Sequence, residues 1–80
     1  MLTNDIKKGT TVRLRNGWNA IIEDNKRGNI RLATVLGWVD EMGSIYAHDI
    51  QFVKTETGWV KVTLTDAQRK LAKMTNNFFE

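Results

Sequence analysis

The 80-residue chain has no cysteine and no proline, and a single histidine. Without cysteine there can be no disulfide framework and no thiolate metal site, which fits a reducing cytoplasm. Met1 to Lys8 contain no apolar run of signal-peptide length. The longest apolar runs anywhere are a few residues, too short for a membrane-spanning helix. The expectation is a soluble cytoplasmic protein with no membrane partner. Repeats, low-complexity tracts and linkers are also missing, so residues 1–80 read as one domain. A domain of this size buries only roughly 60% of its unfolded surface, which leaves few apolar side chains to spare from the core.

Charge is modest in amount and uneven in placement. Residues 1–40 hold seven Lys/Arg against four Asp/Glu, and residues 41–80 hold five of each. The whole excess of +3 therefore lies in the first half, on Lys7, Lys8, Arg13, Arg15, Lys26, Arg27 and Arg31. Such a face suits phosphates or an acidic partner, or is simply a solvated sheet surface.

Apolar periodicity points to strands over most of the chain. Thr10 to Arg15 alternates, with Val12 and Leu14 on one face and Arg13 and Arg15 on the other. Asn16-Gly17 is the signature of a two-residue type I′ hairpin, and Trp18 to Asp24 is the return strand. Asp24 to Asn29 is a polar turn in which Gly28 suits a left-handed position. From Ile30 to Val39 apolar residues occupy both parities, which predicts a long strand that is covered on both faces by bending and contributing to both halves of a barrel, with Gly37 as the place to bend. Asp40 to Gly43 reads as a turn, Ile45 to Ala47 as a short strand, His48-Asp49 as a tight connection, and Ile50 to Val53 as a further strand. Residues 59–64 alternate again and add one strand. Thr65-Asp-Ala-Gln68 has the form of a capping box opening a helix over residues 66–75. Ala67, Leu71, Met74 and Phe78 form a stripe that should pack on the sheet, chiefly through Leu71 and Met74.

The fold class expected is mainly β: a small barrel of about five strands over residues 8–53, an extra strand and one C-terminal α-helix. The five short strands, the tight turns and the opening Lys8-Gly-Thr-Thr-Val-Arg-Leu-Arg-Asn-Gly-Trp18 resemble SH3-like barrels of the KOW and Tudor type. The whole chain, with Gly43-Ser-Ile-Tyr-Ala-His-Asp-Ile50 and the late Trp59-Val-Lys-Val62 strand, is also similar to short uncharacterised proteins of tailed bacteriophages. That second resemblance implies expression in an infected bacterium, in the host cytoplasm or the virion.

Catalytic chemistry has little footing. Ser44, His48 and Asp49 are the residue types of a nucleophile–base–orienter set, but neighbours in a short turn rarely reach hydrogen-bond contact in that order. His48, Asp49 and Asp40 or Glu41 lack metal-ligand spacing. Glu23 and Asp24 are adjacent on a strand and face opposite ways. Gly28 and Gly43 belong to no phosphate-cradling motif, and nothing implies a cofactor. Binding is the remaining class. Trp18, Trp38, Tyr46, Phe52 and Trp59 can stack bases or grip a peptide, although at least two of the three tryptophans are expected in the core. The candidate surface is Arg13, Arg15, Trp18, Lys26, Arg27 and Arg31. A non-enzymatic module binding a host or phage protein is the leading expectation, with nucleic acid as the alternative partner.

Overall fold

The computed structural model describes residues 2–79, with side chains described as far as Met74. A 3₁₀ turn, Thr3–Asp5, precedes six strands. They are β1 (Thr11–Leu14), β2 (Asn19–Ile22), β3 (Ile30–Leu36), β4 (Glu41–Tyr46), β5 (Ile50–Thr55) and β6 (Gly58–Lys61). A second 3₁₀ turn, Ala47–Asp49, joins β4 to β5, and helix α1 (Asp66–Phe79) closes the chain. All strands pair antiparallel in one sheet of order β4-β3-β2-β1-β5-β6. The first four form a meander, and the second 3₁₀ turn carries the chain back so that β5 lands beside β1. The expected class is met: mainly β, with one added strand and one helix.

Alternation places the core. Val12 and Leu14 of β1, Ala20 and Ile22 of β2, Ala33 of β3, and Ile50 and Val53 of β5 are buried together with Ile6 and Val62. Val35, Ile45 and Leu64 pack against them from the margin. Among the described residues this core is built of aliphatic side chains alone.

Several local expectations need correction. The β1–β2 turn is not type I′, because Gly17 (φ +90°) has positive φ and Asn16 does not. Gly17 N–H instead donates to the Leu14 carbonyl at 2.9 Å, and the Asn16 Oδ1 accepts from Trp18 N–H at 3.0 Å. The side-chain bond holds the corner, so left-handed backbone is needed only once. Gly28 has no positive φ; its carbonyl serves as an acceptor for Arg31. The turn expected at residues 40–43 lies at 37–40, and β4 is correspondingly longer than the strand assigned to 45–47. β3 is not buried on both sides, since Ile30 and Leu32 are exposed while Arg31 and Ala33 point inward.

The capping box forms in full. Gln68 N–H donates to the Thr65 Oγ1 at 3.2 Å, and Thr65 N–H donates to the Gln68 Oε1 at 3.0 Å. The helix packs on the second 3₁₀ turn, but not through the stripe expected. Leu71 is 36% exposed and Met74 53%, whereas Gln68 is buried. The face turned inward instead carries Gln68, whose Nε2 donates to the Asn4 Oδ1 at 3.5 Å, and half-buried Ala72. The Phe78 side chain lies outside the described residues.

Candidate functional site

The six residues named as a basic surface do not converge. Arg31 is the clearest departure: it is 0% exposed and points into the core side of β3. Its Nε donates to the Gly28 carbonyl at 2.8 Å, Nη1 to the Thr3 carbonyl at 3.3 Å, and Nη2 to the Asn4 Oδ1 at 3.1 Å. Burial pushes its pKa down, and the charge of Asp24 pulls it back up. A guanidinium so enclosed is an internal tie and presents nothing to a phosphate.

Arg15 forms an ion pair with Asp49, and its backbone N–H donates to the Asp49 carbonyl at 2.7 Å. Arg13 lies over the Trp59 ring at 4.3 Å from the centroid, with its Nε donating to the Asn19 Oδ1 at 3.2 Å. Sheet register explains this contact: Arg13 stands opposite Phe52 on β5, and Trp59 on β6 is one strand further on the same face. Lys26 and Arg27 are exposed on the β2–β3 loop. Arg27 and Lys7 line a shallow cleft with Asn4, Asp5 and Asn25, where the carboxylate of Asp5 offsets part of the positive charge.

Trp18 is 44% exposed and packs on Gly37. A Cβ on Gly37 would overlap the indole at Cζ3 and lie 2.8 Å from Cη2. Gly37 thus opens the bend expected there, just after β3, and also leaves the space that a rigid ring fills. Gly37→Ala is expected to cost about 1–3 kcal/mol by overpacking. The penalty should vanish in a Trp18→Ala background, read from urea midpoints in a double-mutant cycle. An equal penalty in both backgrounds would place the strain elsewhere.

None of the three tryptophans is in the core, against the expectation for two of them. Trp38 is 97% exposed at the β3–β4 turn, beside exposed Val39. Cross-strand rows continue this apolar character along the outer face. Ile30 stands opposite Tyr46, and Thr34 opposite Met42, with Leu32 between them on β3. Ile30, Leu32, Met42 and Tyr46 are all exposed. The sequence signal was present as apolar residues at both parities of residues 30–39; it marks one face for the core and one face for the surface.

No protein-family model, curated protein or solved structure matches the chain.

The Ser44–His48–Asp49 set is not assembled for nucleophilic chemistry. His48 is buried, its Nδ1 is 3.1 Å from the Asn29 Oδ1, and its Nε2 is 3.9 Å from the Asp49 Oδ1. Its ring stacks on Tyr46 at a centroid separation of 5.1 Å. Ser44 lies on the outward parity of β4, opposite Leu32. The Asn29 carbonyl also accepts from Ala47 N–H at 2.6 Å, so His48 and Asn29 together fasten the second 3₁₀ turn to the β2–β3 loop.

Burial lowers the His48 pKa; Asp49 raises it and Arg15 lowers it further, to smaller extents. The unfolded chain therefore binds a proton more readily than the folded one. Stability is expected to fall as pH drops below the unfolded value of about 6.5, levelling off below the folded pKa. His48 is the chain's one histidine, so His48→Gln should flatten the dependence between pH 7.5 and 5.5. A slope in urea midpoint that survives the substitution would assign it to other groups.

Proposed function

We propose that this chain is a small non-enzymatic protein-binding module whose contact surface is the β3–β4 hairpin. One observation carries the reading: Trp38 and Val39 at the turn, and Ile30, Leu32, Met42 and Tyr46 on the outer face, are all left exposed. A domain this small has few large apolar side chains to spare. Contiguous exposure of aromatic residues and methionine is the composition of interface cores, where tryptophan and tyrosine carry most of the binding energy. The resemblance to short bacteriophage proteins makes a host protein, a phage protein or a virion neighbour the class of partner.

Nucleic-acid binding loses ground on the same geometry. Arg31 is internal and Arg15 is ion-paired with Asp49, while Arg13 is stacked on Trp59. Lys7, Lys8, Lys26 and Arg27 remain as the exposed cations of the first half. Affinity capture by the whole chain, with and without nuclease, tests the reading. Protein capture should survive nuclease and be lost with Trp38→Ser and Met42→Lys. Binding of a fluorescent oligonucleotide should stay weak at physiological salt. Tight binding whose salt slope falls by about 0.7–0.9 for each neutralised cation would overturn the reading in favour of nucleic acid.

A further inference from the structure

We infer that the free edge of β4 takes an extended peptide segment of the partner as a seventh, antiparallel strand; this rests on the protein-binding reading above. β4 is one end of the sheet, and its ladder to β3 runs from Glu41 to Tyr46 without a bulge. Natural edges are guarded by charge, proline, bulges or brevity. β6, at the other end, is four residues long and finishes in Lys61. β4 has none of these guards over Met42-Gly-Ser-Ile-Tyr46.

A cleft of about 280 Å³ opens beside this edge, with Ser44, Ile45 and Tyr46 of β4 on one side. Leu14, Val35 and Ile45 give it an apolar lining, and Arg15 and Asp49 stand on the far side. A strand added to β4 presents alternate side chains on the core side of the sheet, where this lining would receive them. Main-chain hydrogen bonds to the edge supply affinity, and the cleft selects an apolar side chain.

Antiparallel pairing is the more stable per residue, and charge then sets which end of the segment is basic. A segment antiparallel to β4 starts beside Tyr46 and finishes beside Glu41. Asp40 and Glu41 are exposed there and enter no ion pair among the described residues. The occupant is therefore a segment of alternating apolar residues with Lys or Arg at its carboxyl end. A second copy of β4 fits poorly. On that face it offers only Glu41, Gly43 and Ile45: a charge, a residue without a side chain, and a residue already packed on its own core.

The test is selection from a displayed library of random octapeptides on the whole chain, followed by amide exchange with an enriched peptide. Enriched sequences should alternate apolar residues and end in a basic one, and the peptide should slow exchange at residues 41–46. Methylating alternate peptide nitrogens should abolish binding. Glu41→Lys should weaken binding by roughly threefold, since it replaces an exposed attraction with a repulsion. Failure to enrich any sequence, enriched peptides that leave residues 41–46 unchanged, or a peptide-free dimer protected at those amides would each overturn the inference. If the inference fails while protein capture remains sensitive to Trp38→Ser, the outer face alone makes the contact. If capture also fails, the protein-binding reading fails with it.

Discussion

Arg31→Ala is expected to lower the unfolding free energy by about 3–5 kcal/mol, a large share of what an 80-residue domain possesses. The substitution removes three hydrogen bonds at once and leaves the Thr3 carbonyl, the Gly28 carbonyl and the Asn4 Oδ1 without their guanidinium donor. The buried Thr3 carbonyl, left unsatisfied, costs about 1–3 kcal/mol; the exposed Gly28 and half-buried Asn4 acceptors cost less, and the vacated volume adds a cavity term. Damage should also spread along the chain. The Asn4 Oδ1 is shared with Gln68 Nε2 at 3.5 Å, and Gln68 is half of the capping box that starts α1. Thr3 holds the C-terminal connection through its N–H, which donates to the Thr63 carbonyl at 3.1 Å. Arg31 thus ties together β3, the N-terminal turn and the start of the helix. Denaturation followed at 222 nm and by near-ultraviolet dichroism should show both signals shifting to lower urea. Arg31→Lys should recover little, because one ammonium cannot reach three acceptors spread around a planar fork. A shift below about 1 kcal/mol for Arg31→Ala would mean that these acceptors find water instead.

Ile22→Ala should cost about 2–5 kcal/mol, whereas Ile30→Ala, eight residues later on the next strand, should stay within about 0.5 kcal/mol. Ile22 is fully buried and stands opposite Ala33 on β3. Val12 and Val53, also buried in the core, are stiff at χ1, so little around it can swing in to close the cavity. Ile30 is 55% exposed on the outer face. Ile30→Ala tests the parity of β3 against the buried reference on β2, because a β3 buried on both sides would make this substitution costly too. Comparable losses at the two positions would show that the outer face is covered in solution. Ile30→Ala should instead weaken partner capture.

The hairpin between β1 and β2, the helix start and the overall class were legible from local pattern. Val12/Leu14 and Ala20/Ile22 alternate with polar neighbours, and Asn16-Gly17 marks the reversal between them. Thr65 and Gln68 form their box within four residues, so the local sequence is enough to signal it. These features depend on backbone geometry and on side chains within one turn of each other. The extra β5–β6 hairpin was only half visible. Its Glu56-Thr57 turn is held by Thr55 Oγ1, which accepts from Thr57 N–H at 3.3 Å, a bond with weak sequence signature.

What tertiary structure alone decided is the fate of the long side chains. An arginine on an alternating strand reads as a surface cation, because isolated burial of charge is costly. Arg31 escapes that cost by acceptors from Thr3 and Asn4, 28 and 27 residues away, which no local pattern reveals. Tryptophan reads as core for the area it hides. Here the space inside the sheet is filled by small aliphatic residues, leaving Trp38 outside and Trp18 lying across Gly37. Alternation assigns side chains to two faces of a strand but does not say which face is covered. Pairing order and sheet curvature make that choice, and they set both the dispersal of the basic residues and the exposed β3–β4 surface.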